Sequence, residues 1–164
     1  MAVERSVGIR DAENEAFASA VVGALVAGFV FGIVLHETGR MESIASLYGQ
    51  DDIVVAWAFH FIHSFFAGIF FLAVVNLLRV TDPFGVTSLE RPLGFPVATA
   101  VAGVLYGLVL WALLVATLLP LWGEVVGLER PLPYLHEPSL LGLVLFGAIL
   151  GLLYGVLFRL MTRH

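Results

Sequence analysis

The chain reads as an all-α membrane protein, a bundle of four transmembrane helices, and three observations predict this. Hydrophobic residues make up 60% of its 164 residues, only 13% are charged, and the mean hydropathy is +0.98. A soluble domain of this size has too little interior to hide that much apolar surface. Four runs contain no Asp, Glu, Lys or Arg: Ala16 to His36, Ile53 to Leu78, Pro92 to Gly123 and Pro138 to Phe158. Each meets the roughly 20 residues that a spanning helix needs at a rise of about 1.5 Å per residue.

Helices are expected at about 16–36, 53–79, 95–121 and 138–160, in one membrane domain covering 1–164. Helix one follows fifteen residues of mixed charge and shows no small-residue cleavage pattern, so it reads as a retained anchor rather than a signal peptide. Helix two carries six phenylalanines from Phe59 to Phe71 and two histidines well inside the span, His60 and His63. Helix three nears its end at Pro120, and Pro131, Pro133 and Pro138 then stiffen the connection to helix four.

There is no lysine, and the eight arginines divide unequally. Arg5, Arg10, Arg79, Arg91, Arg159 and Arg163 fall on one side, and only Arg40 and Arg130 on the other. The positive-inside rule therefore puts both termini in the cytoplasm, for a multi-pass protein of the cell membrane. Tyr48, Trp57, Trp122 and Tyr134 gather at the opposite boundary, where amphipathic rings prefer to sit. The outer connections are acidic, with Glu37, Glu42, Asp51 and Asp52 in the first and Glu124, Glu129 and Glu137 in the second, which reads as an ordinary solvated surface. No basic patch suggests nucleic acid.

Small residues recur at four-residue spacing. Gly28 and Gly32 mark helix one, Gly103 and Gly107 helix three, and Gly147, Gly151 and Gly155 helix four, while helix two has only Ser64 to Gly68. In lipid, helices associate through close backbone approach and dispersion, which glycine grooves permit. These stripes are expected to face one another, with the long helix-four stripe also able to serve a helix of another subunit. That makes a homo-oligomer or a larger membrane complex the expected partner besides the lipid bilayer.

A shift of 80 residues aligns helix one with three and helix two with four. Ala18, Ala20, Val21, Gly23 and Leu25 match Ala98, Ala100, Val101, Gly103 and Leu105, and Phe66, Ile69, Leu72, Leu77 and Arg79 match Phe146, Ile149, Leu152, Leu157 and Arg159. Two tandem helical hairpins, related by an axis along the membrane normal, would produce this pattern. His60 and His63 align with Leu140 and Leu143, so any histidine function belongs to the first half.

Ionisable groups within a span are functional suspects. Counted from a boundary near Val54, His60 lies roughly 9 Å and His63 roughly 14 Å deep, on the same side as His36 and near enough in depth to be grouped with it. His36, His60 and His63, with Glu37, form the candidate set for copper or zinc, and a bis-histidine haem would pair His36 with His60 or His63. The plainer reading is a pair of neutral imidazoles bonded to backbone or to hydroxyls such as Ser64. With no cysteine, thiolate metal sites, thiol nucleophiles and c-type haem attachment are excluded. No hydrolytic triad, phosphate loop or HExxH motif occurs, so no enzyme is expected.

The segments LYG at Leu47–Gly49, HFIHSFFAGIFF from His60, LLPLW from Leu118 and SLLGLVLFGAILGLLYG from Ser139 together resemble an uncharacterised family of small four-helix integral membrane proteins from halophilic archaea. Members sometimes carry a histidine-kinase label, which these residues do not support. Similar members often place a histidine where this chain has Leu143. The leading functional reading is a non-catalytic accessory subunit or self-associating scaffold. A small permease or ion or proton pathway comes second, and a haem- or metal-binding redox component third.

Overall fold

A computed structural model describes residues 2–81 and 90–162, and these are helical with short connections and no strand. Met1 and Arg163, the latter counted among the terminal-side charges, lie outside the described residues. The elements in chain order are α1 (Ala2–Glu37), α2 (Glu42–Ser46), α3 (Ile53–Thr81), α4 (Glu90–Leu93), α5 (Phe95–Leu110), a π-wound segment (Trp111–Leu118), α6 (Leu119–Val126) and α7 (Glu137–Met161). Four helical stretches are long and apolar enough to cross a membrane: Asp11–Glu37, Ile53–Thr81, Phe95–Val126 and Glu137–Met161.

Each span starts or stops where the sequence supplies a signal. Asp52 caps α3, its carboxylate accepting from the amides of Val54 at 2.7 Å and Val55 at 3.1 Å. Pro96 and Pro138 sit in the first turns of α5 and α7, where a missing N–H leaves no bond unmade. Gly127 ends α6 in the left-handed region at φ 77°, a conformation a Cβ would oppose. At the other extreme α1 runs on beyond the apolar stretch, starting at Ala2 rather than near residue 16, because Ala, Glu and Arg in that segment favour helix without needing lipid.

The spans run up, down, up and down, each packed antiparallel on its neighbours. Gly28 of α1 sits at Ser64 of α3, Gly23 of α1 at Leu150 of α7, and Gly103 of α5 at Gly147 of α7. Contact is closest between α5 and α7 and thinnest between α3 and α5, which closes the ring. Ala20, Ala24 and Ala27 are wholly buried, bringing α1 against both α3 and α7. The centre is filled by Phe71, Tyr106, Phe146, Leu150 and Tyr154. The Phe71 ring meets Tyr106 at 5.4 Å and Tyr154 at 5.7 Å, the second nearly edge to face. Across the thin seam the Tyr106 hydroxyl donates to the Ala67 carbonyl at 2.7 Å.

The glycines are placed by backbone contact. A Cβ on Gly103 would strike the carbonyl of Gly147 and one on Gly147 the carbonyl of Gly103; Gly107 faces the Leu143 carbonyl, Gly151 the Thr99 carbonyl, and Gly155 the Thr99 side chain and Pro96. The helix-three and helix-four stripes thus face one another within the chain. Gly28 and Gly32 differ from the expectation: they face Ser64, Trp57 and His60 of α3, not another glycine stripe. Helix two has bulky polar and aromatic groups to seat at that level, and a bare backbone on α1 makes the room.

Candidate functional site

The histidines meet their partners at the end of the bundle that carries the 38–52 and 127–136 connections. A separation of three positions turns His63 about 60° from His60 around the helix axis. That offset is enough to send the two rings to different neighbours. His60 faces α1 and is 5% exposed. Its Nε2–H donates to the Gly28 carbonyl at 2.8 Å, which assigns the proton to that nitrogen because a carbonyl only accepts. The ring lies edge-on to Trp57 at 6.0 Å and to Phe31 at 5.9 Å. Ser64 does not bond either imidazole; its hydroxyl donates to the His60 carbonyl at 2.8 Å.

His63 lies on the flank covered by the first connection. The Tyr48 hydroxyl is 2.6 Å from its Nε2, and the Tyr48 ring stacks on Phe59 at 4.0 Å and 12°. A residue five positions before α3 therefore reaches the level of His63. The 29 residues of α3 extend about 43 Å, longer than a hydrocarbon core of about 30 Å. Met41, Ala45 and Ala56 form a small buried cluster that holds the connection down on α3. Trp122 of α6 donates to the Leu47 carbonyl at 2.8 Å, tying the connection to the third span. The segments LYG at Leu47–Gly49, LLPLW from Leu118 and the first turns of HFIHSFFAGIFF from His60 thus converge here.

His36 makes a third, separate contact, its ring 6.1 Å from Trp57. The indole of Trp57 takes the contact with both His36 and His60. The expected metal set of His36, His60, His63 and Glu37 is not assembled: among the described residues no three His, Asp or Glu side chains come within reach of one ion. For a bis-histidine haem the same arrangement is unfavourable, because His60 is turned to the Gly28 carbonyl and His63 to Tyr48.

A second polar cluster, not singled out from the sequence, joins α1 to α7. His136 is the N-cap residue of α7: its Nδ1 lies 3.3 Å from the Ser139 amide and 2.6 Å from the Ser139 hydroxyl, and its Nε2 meets the Arg40 guanidinium. Tyr134 stacks on the imidazole at 5.4 Å and 9°, and the Arg130 guanidinium lies over Tyr134 at 5.2 Å. Partial burial, then the charges of Arg40 and Arg130, hold the His136 pKa below its ordinary value of 6.5. The sequence signal was His136-Glu137-Pro138-Ser139, a cap followed by proline in the first turn.

The π winding of Trp111–Leu118 has no counterpart among the expected helices. Pro120 lacks the N–H that an α-helix would direct to the Ala116 carbonyl, and the amide of Tyr134 takes that carbonyl instead at 3.0 Å. Thr117 matches the wider winding, its hydroxyl donating five residues back to the Ala112 carbonyl at 2.9 Å. Trp111 donates to the His136 carbonyl at 3.3 Å. The third span and the start of the fourth are thereby pinned to one another through the 127–136 connection. Compared with known proteins, the chain matches no family model, no curated protein and no solved structure.

Proposed function

We propose that this chain is a non-catalytic membrane protein, an accessory subunit or self-associating scaffold of a membrane complex. The observation that carries the reading is the filled centre of the bundle. Phe71, Leu150 and Tyr154 are at most 1% exposed and interlock with Tyr106 across all the spans but α1, whose buried alanines complete the wall. A permease places its polar path where these rings stand. The polar side chains at the connection end brace neighbouring helices, as His60 does to α1 and His136 to Arg40.

What the bundle offers to others is its outside. The windows of α3 and of α5 through α6 are 22% buried, against 39% for α1 and α7. Ile62, Phe66 and Phe70 lie on an exposed face of α3, and Leu105, Leu108 and Val109 on α5. The division of arginines favours an orientation with both termini in the cytoplasm. Native mass measurement of the chain extracted in mild detergent tests the proposal. A homo-oligomer or a co-purifying chain is expected, and a bare monomer under all extraction conditions overturns it.

A further inference from the structure

A cavity of about 240 Å³ lies at the connection end between α1 and α7, lined by Phe31, Val34, Leu35, Thr38, Arg40, His136, Pro138 and Ser139. That is many times the roughly 15 Å³ one water occupies by this measure. It has two zones. Phe31, Val34, Leu35 and Pro138 make an apolar wall, and Arg40, His136, Ser139 and Thr38 make a polar one.

The polar zone has more donors than acceptors. Both ring nitrogens of His136 face donors, Nε2 the Arg40 guanidinium and Nδ1 the Ser139 amide. A neutral imidazole has one lone pair, so one of these donors is left without an acceptor. Arg130, one stacked ring further out, has a buried Nε with no hydrogen-bond partner. Among the described residues neither Arg40 nor Arg130 has a carboxylate within 4.0 Å, the ion pair found being Arg79 with Glu90 at the opposite end of the bundle. Two positive charges therefore stand beside a donor-rich, half-apolar space.

The position adds the last constraint. The cavity lies where the apolar run of α1 ends at Glu37 and that of α7 begins at Glu137, and the ends of apolar spans are where a bilayer is expected to present its headgroups. An occupant that suits both zones carries an acceptor-only anion joined to hydrocarbon. We propose that this cavity binds the phosphate headgroup of an anionic lipid, with Arg40, His136 and Ser139 around the phosphate and the first chain carbons along Phe31 and Val34. Arg130 supplies charge from the second row. The site stands apart from the subunit reading and holds for a monomer or a complex.

The test uses the full chain in detergent, titrated with phosphatidylglycerol, phosphatidylcholine or inorganic phosphate and read by native mass spectrometry. Wild type is expected to hold one phosphatidylglycerol at least tenfold more tightly than phosphatidylcholine. Arg40→Gln removes a charged hydrogen bond and is expected to lower that preference by about tenfold. Arg130→Gln lowers it less, and Arg79→Gln at the far end leaves it unchanged. Unfolding temperature checks that the variants are folded, and the two-lipid comparison in wild type needs no variant. Equal retention of the two lipids, an unchanged preference in folded Arg40→Gln and Arg130→Gln, or inorganic phosphate binding as tightly as the lipid each overturns the proposal.

Discussion

The Tyr48 hydroxyl lies 2.6 Å from Nε2 of His63, joining the first connection to a spanning helix fifteen residues later in the chain. The same tyrosine stacks on Phe59, so the bond closes a two-point attachment. Tyr48→Phe keeps the stacking and removes the bond. A double-mutant cycle of Tyr48→Phe with His63→Phe should give a coupling of about 0.5–1.5 kcal/mol. Hydrogen exchange in 41–50 should accelerate in each single variant. Additive effects with no change in exchange would show the contact to be incidental.

His60 should matter more to stability than His63, although the two are near neighbours in sequence. His60 is buried against Gly28, Phe31 and Trp57, whereas His63 is on the exposed flank. His60→Ala leaves a cavity and deletes a hydrogen bond in a low-dielectric setting, a loss of about 2–4 kcal/mol. His63→Ala should lose about 1 kcal/mol. Thermal unfolding followed by tryptophan fluorescence distinguishes them, since Trp57 reports on His60 directly. Equal losses would contradict the division of the two rings between separate neighbours.

Gly103 and Gly147 face each other's carbonyls, and this fixes what a substitution on the helix-four stripe does. Gly147→Ala or Gly151→Ala forces α5 and α7 apart and should destabilise the single chain by about 1–3 kcal/mol. Leu145→Ala, on an exposed face, should change stability by less than about 0.5 kcal/mol. The measurement is the unfolding temperature of monomeric protein in detergent. If Gly151→Ala left the monomer untouched but dissociated an oligomer, the stripe would belong to an interface between chains instead.

The spans are legible in the sequence because runs of some twenty uncharged apolar residues have few alternatives, and Asp52, Pro96 and Pro138 mark where they begin. The histidine site is not, for reasons of geometry. Periodicity puts His60 and His63 within about 60° of each other, but the partner of each depends on where α1 and the connection at Tyr48 lie, and no local pattern encodes that. The grouping with His36 fails at Trp57, a boundary aromatic whose ring stands against both His36 and His60. Sequence alignment within the chain is similarly silent about contacts. Gly23 and Gly103 match under the shift of 80 residues, yet both face α7, Gly23 at Leu150 and Gly103 at Gly147.

Pro120 is plain in the sequence, but its consequence is not. The missing donor leaves the Ala116 carbonyl open, and the amide that fills it belongs to Tyr134, beyond the end of the third span, a pairing that no local pattern encodes. Pro120→Ala restores an N–H that competes for the Ala116 carbonyl. Exchange of the Tyr134 amide should then rise at least tenfold, and the 127–136 connection should become more susceptible to protease. Protection at Tyr134 equal to wild type would mean the proline does not maintain the π winding.

His136 gives the pH dependence a definite sign. Its folded pKa lies below the ordinary 6.5, first through burial and then through Arg40 and Arg130. The unfolded chain therefore binds a proton more readily than the folded one. Stability from this group is fully present above about pH 6.5 and is lost as the pH falls through the folded pKa. His136→Asn keeps a side chain that can cap α7 and cannot titrate in this range. Unfolding compared at pH 7.5 and pH 5 should show a smaller loss on acidification in His136→Asn than in wild type. Arg40→Gln should flatten the slope part of the way, since it removes one of the two charges that oppose protonation but leaves the burial. An identical acid slope in all three proteins would mean that the imidazole titrates in the folded protein as it does in the unfolded chain.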